Sequence, residues 1–114
     1  MVRILIEYHP AYINARDENG GTSLDWASTG HNFKDGSVLR LLLEHGAVIN
    51  VQDRNGWTPL HTASYCGALE VVRLLLGHGA DVEANGNDGK TALQLAADEG
   101  YDEVVKLLRE YGAK

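Results

Sequence analysis

Apolar residues in this chain fall into short clusters at helical spacing, parted by polar stretches that contain glycine. From about Leu69 to Leu76 the apolar positions Val71, Val72, Leu74 and Leu75 share one side of a helix. The segment then ends at the Gly77 to Gly79 stretch. Upstream, Thr58 is placed to cap another helix whose first position is Pro59, where a missing N–H is harmless. That helix runs to about Tyr65 and is stopped by Gly67. Ile49 and Val82 lie in β-favourable stretches, each followed by a dipeptide suited to tight turns with positive φ, Asn55-Gly56 and Asp88-Gly89. The predicted unit is a pair of antiparallel helices and a projecting hairpin.

The unit recurs. Displaced by 33 residues, Gly56, Thr58, Leu60, Ala63 and Gly67 fall on Gly89, Thr91, Leu93, Ala96 and Gly100. Val38, Leu41-Leu42-Leu43, His45 and Gly46-Ala47 precede Val71, Leu74-Leu75-Leu76, His78 and Gly79-Ala80 by the same distance. Further upstream the displacement becomes 36, with Asn19-Gly20, Thr22, Leu24 and Ala27 matching Asn55-Gly56, Thr58, Leu60 and Ala63. Three residues are therefore inserted within Thr29 to Ser37, the stretch that brings His31, Phe33 and Lys34. The predicted divisions are a partial repeat over 1–16, a repeat with the insertion over 17–52, the best-matching repeat over 53–85, and a capping repeat over 86–114. The cap is read from Asp102 and Arg109, which replace Leu69 and Leu76, because a terminal unit turns polar where it has no neighbour. At the other end Ile4, Leu5 and Ile6 are apolar without a first helix of their own. The expectation there is truncation from a longer array, or self-association into a homodimer through this helix.

Thr58-Pro59-Leu60-His61-Thr62-Ala63 matches the T-P-L-H-x-A signature at the right period, and the chain resembles the ankyrin repeat family along essentially its whole length. Thr91-Ala92-Leu93-Gln94-Leu95-Ala96 and Thr22-Ser23-Leu24-Asp25-Trp26-Ala27 are looser copies. The resemblance implies an all-α solenoid of helix-turn-helix repeats with short β-hairpin connections. It also implies that Thr58 and His61 tie their repeat together by hydrogen bonds, and that hairpin tips and the concave groove bind a partner protein.

Composition narrows the functions. The chain has 114 residues, 10 Lys+Arg against 16 Asp+Glu, and a net charge of −6, a balance that argues against nucleic acid and anionic membranes as partners. No apolar run approaches the length of a membrane span, and Cys66, the single cysteine, has no intramolecular disulfide partner. An intracellular setting is the expectation. Thirteen glycines against two prolines read as punctuation of the repeat.

Cys66 and the five histidines raise the prospect of a thiol enzyme or a zinc site. His45 and His78 occupy equivalent places that Tyr8 and Tyr111 also fill, and no Cys/His spacing fits a known site. Asp98, Glu99, Asp102 and Glu103 lack the loop a calcium site needs. The expectation is therefore no catalysis, no metal and no cofactor, with an enzyme using Cys66 as the weakest alternative.

What remains is the set of positions that vary while the frame stays fixed. These are the hairpin tips and the end of the first helix: Arg54, Asn55, Trp57, Tyr65, Cys66, Asn87, Asp88, Lys90, Asp98 and Glu99, with Glu18, Asn19 and Gly21 at the first tip. Trp57 is matched by Gly21 and Lys90, so its slot is not a packed core position, and an exposed Trp is the residue type that most often dominates binding energy. Tyr65 ranks beside it. Trp26, matched by Thr62 and Leu95, reads instead as packed between units. The expected partner is a protein with an apolar anchor and a basic patch.

Overall fold

The structure, a computed structural model, describes Ser28 and residues 36–113. The N-terminal expectations for Ile4, Leu5 and Ile6, Trp26, Phe33 and the tip Glu18, Asn19 and Gly21 lie outside the described residues.

Five helices follow one another: α1 Ser37–Glu44, α2 Pro59–Cys66, α3 Leu69–Gly77, α4 Ala92–Glu99 and α5 Asp102–Glu110. The predicted extents of α2 and α3 hold to within a residue. Both first-type helices start the same way. The Thr58 hydroxyl accepts from His61 N–H while the His61 ring accepts from Thr58 N–H, and Thr91 and Gln94 repeat the exchange.

Every described helix also ends alike, in a glycine whose N–H bonds back three residues and whose successor bonds back five. At α2 these are Gly67 to Ser64 at 3.3 Å and Ala68 to Ala63 at 3.0 Å. Gly67 sits at φ +70, and a methyl there would stand 2.7 Å from the Tyr101 ring. The glycine is fixed by both its backbone and its neighbour.

The helices form two rows. In one, α2 lies against α4; in the other, α3 lies between α1 and α5, and α2–α3 and α4–α5 pair within each repeat. Between the rows Leu39, Leu42, Leu60, Ala63, Val71, Val72, Leu75, Leu76, Ala92, Leu93, Ala96, Val104, Leu107 and Leu108 form one continuous core. Each repeat buries its apolar side against the next, as a stack of units too small to fold singly must. On α5 the inward side is Val104, Leu107 and Leu108, while Asp102, Lys106, Arg109 and Glu110 are exposed.

The connecting hairpins are tight loops without strands among the described residues. Asp53 N–H reaches Trp57 O at 3.0 Å and Gly56 N–H reaches Asp53 O at 2.9 Å, so three residues span each tip. Gly86, Gly89 and Lys90 repeat the pattern. Positive φ falls on Gly56 and Gly89 alone and not on Asn55 or Asp88, because a turn followed by one left-handed glycine closes these loops.

Candidate functional site

Adjacent hairpins are fastened together by polar groups. Asn87 N–H donates to Asn55 O at 2.8 Å, Asn87 Nδ2 donates to Arg54 O at 2.6 Å, and Gln52 Nε2 donates to Gly56 O and Asn85 O. Asn50 Oδ1 accepts from Asp81 N–H at 2.9 Å. Asn87, and the backbone of Arg54 and Asn55, thus hold one repeat to the next. The Asn55 N–H is also engaged, by Asp53 Oδ1 at 2.8 Å. The side chains of Arg54 and Asn55 remain exposed at the tip.

His61 is the second fastening. It is 1 % exposed, with Nδ1 accepting from Thr58 N–H at 3.1 Å and Nε2 3.0 Å from Lys90 O of the next hairpin. A carbonyl only accepts, so Nε2 carries the proton and the ring is neutral. Burial lowers its pKa below the ordinary 6.5, against the opposing pull of the Lys90 carbonyl and the Asp88 and Asp53 carboxylates.

The site rises from these fastenings. Trp57 lies flat over the His61 ring, centroids 6.2 Å apart at 17°, and leans on Tyr65 at 5.3 Å and 54°. Its pyrrole edge reaches the following hairpin, where a methyl on Gly86 would stand 2.9 Å from Trp57 Cδ1. Trp57 is accordingly half-buried and not the freely exposed ring its variability predicts. Tyr65 is 46 % exposed and forms the open side of the pair.

One repeat further on, the same two positions hold Lys90 and Asp98, and they too touch: Nζ and Oδ2 are 2.8 Å apart. Asp98 holds the Lys90 ammonium above its usual pKa, helped by Asp88 and Glu99 nearby. Lys90 and Asp98, expected as two separate contacts for a partner, are therefore each other's partner at rest. Asp88 Oδ1 accepts from Lys90 N–H at 3.0 Å, and Asp88 and Glu99 are exposed.

Cys66 ends α2, part-exposed, and burial pushes its thiol pKa up, which lowers the fraction of thiolate at neutral pH. His45 and His78 use Nδ1–H to bond back to Leu41 O and Leu74 O at 2.8 and 2.9 Å, capping α1 and α3. Among the described residues no group of His, Cys, Asp or Glu gathers as metal ligands do.

A residue the variable positions do not flag is Gly86, the seat of the indole. Its signal is present in the repeat: positions 17 and 53 are Asp, and only the hairpin beside Trp57 has Gly there. Asp53 caps the N–H groups of Asn55 and Trp57, and with Gly86 in its place the last hairpin takes its cap from Asp88.

A family model of ankyrin repeats in three copies matches residues 31–114. The chain belongs to the ankyrin repeat family. Ankyrin repeats are generally modules for binding other proteins, and the family is typically non-enzymatic. No curated protein matches the chain. Among the described residues no helix is long and apolar enough to cross a membrane.

Proposed function

We propose that this ankyrin domain is a non-catalytic module that grips a partner protein on the face built by its hairpins and first helices. The observation that carries the reading is the Trp57–Tyr65 pair: two large aromatic rings in contact, one of them half-exposed, on a base that is already hydrogen-bonded. Rigid aromatic area of this kind loses little conformational entropy on binding. Trp57 and Tyr65 act as the apolar anchor, Arg54 and Asn55 flank it at the tip, and Cys66 borders it at the helix end. Asp88, Asp98 and Glu99 supply complementarity to a basic patch.

The test exploits the Lys90–Asp98 pair of the following repeat. Replacing the pair by its own counterpart, Trp57→Lys with Tyr65→Asp, removes the aromatic surface while installing a contact the fold already uses. Affinity capture from cell extract is compared between wild type and this variant, with helicity by circular dichroism as the control for folding. The expected result is loss of the captured proteins with helicity retained. An unchanged capture profile overturns the reading.

A further inference from the structure

Among the described residues the face carries one pair of positions twice, a hairpin residue and the residue eight further on. In the middle repeat the pair is Trp57 with Tyr65, and its neighbours Asn55 and Cys66 carry no charge at neutral pH. In the next repeat the pair is Lys90 with Asp98, and the equivalents of Asn55 and Cys66 are Asp88 and Glu99. All three carboxylates act on the one ammonium of Lys90. The apolar part of the face and its negative excess are thus sorted onto adjacent repeats.

Resting on the reading above that this is the binding face, we propose that the partner supplies an extended segment in which a large apolar side chain and a Lys or Arg stand three residues apart. The apolar side chain meets Trp57 and Tyr65, and the cation meets Asp88, Asp98 and Glu99. The spacing follows from the stack. Tyr65 and Asp98 stand at equivalent places on helices packed side by side, about 8–10 Å apart. A polyproline-type segment rises about 3.1 Å per residue and returns to the same side every third residue, so residues three apart project together about 9 Å from each other. A helical ligand fits less well, because two places this close cannot order the roughly 12 residues that a helix needs to be even marginally stable alone. Charge supplies the sign: around Lys90 the carboxylates outnumber the ammonium three to one.

A phage library of random linear peptides, about twelve residues long, is selected on the wild-type protein, and the enriched peptides are made with a fluorescent label. Their affinity is measured by polarisation for three proteins: wild type, Trp57→Lys with Tyr65→Asp, and Asp88→Asn with Glu99→Gln. The expected peptides place an apolar residue and a Lys or Arg three apart, in either order. Binding should weaken about tenfold or more on loss of the aromatic pair. On loss of the two carboxylates it should weaken several-fold and become less sensitive to salt. Peptides that need Trp57 and Tyr65 but lack the basic residue, or place it seven away, overturn this inference and leave the binding face standing. Peptides indifferent to both variants overturn the inference and the face together. Failure to enrich any peptide overturns the inference that a short extended segment suffices.

Discussion

The repeat that holds α2 and α3 and the one that holds α4 and α5 share a frame and differ in much that is attached to it. Thr58 and Thr91 cap equivalent helices, Gly67 and Gly100 end them, and Leu60 and Leu93 enter the same core. Yet the third helical position is a buried His61 in one and an exposed Gln94 in the other, though both complete the same capping exchange. The difference is the neighbour. A following hairpin covers His61 and offers it the Lys90 carbonyl, whereas no described hairpin follows Gln94. The same local motif is a fastening between repeats in one place and a helix cap in the other.

Alanine at each position separates the two roles, and here the largest effect is expected. His61→Ala leaves Thr58 N–H and Lys90 O without their partner and opens space beneath Trp57, a loss of about 2–4 kcal/mol. Gln94→Ala removes only a cap contact at the surface, about 0.5–1 kcal/mol. Urea unfolding of both variants checks the ratio, and equal losses would collapse the distinction.

Acid sharpens the same comparison. The unfolded chain's imidazole takes up a proton near the ordinary 6.5, while the folded one, buried and neutral, does so only at lower pH. Below 6.5 the unfolded state therefore binds more protons. The His61 contribution is complete above that pH and is lost as pH falls toward and through the lower folded value. Wild type should lose stability over this interval more steeply than His61→Gln, and parallel urea midpoints against pH for the two proteins would refute the linkage.

The frame was legible in the residues because it is local and repeated. Thr58-Pro59 starts a helix, Gly67 stops it, and a displacement of 33 exposes both without reference to any distant contact. The face was legible only as a set of positions. Variability marked Asn87 as free for a partner, but its amide holds Arg54 O, since a position can vary between repeats and still be engaged in one of them. Lys90 and Asp98 read as independent charges because nothing local joins residues eight apart on a hairpin and a helix end. Trp57 read as exposed because its seat, Gly86, belongs to the next repeat.

That seat provides the next test. Gly86 is not at positive φ, so its lack of a side chain answers to what stands over it and not to the backbone: the indole first, then the Asp88 carboxylate, whose Oδ1 would be 3.1 Å from a methyl there. Gly86→Ala should destabilise the wild type by about 1 kcal/mol through overpacking. In a Trp57→Lys background the same change should be neutral or stabilising by up to about 0.5–1 kcal/mol, because alanine restricts the unfolded chain. The double-mutant cycle then gives a coupling of about 1–2 kcal/mol, and additive effects would show that Trp57 does not rest on Gly86.

The smallest expected effect concerns a hydroxyl that the two repeats treat differently. Ser64 is wholly buried on α2 with no partner for Oγ among the described residues, and its counterpart on α4 is the exposed Ala97. A buried hydroxyl without a hydrogen bond is desolvated with nothing in return, so Ser64→Ala should be neutral or stabilise by up to about 1 kcal/mol. Ala97→Ser places the same hydroxyl in water, where only weaker helix propensity acts against it, about 0.5 kcal/mol. Serine is then the poorer residue at both places for two separate reasons, burial in the covered repeat and backbone preference in the open one. Thermal unfolding of the two variants tells them apart: a loss at Ser64→Ala larger than that at Ala97→Ser would mean that Oγ is hydrogen-bonded in solution and that the middle repeat needs it.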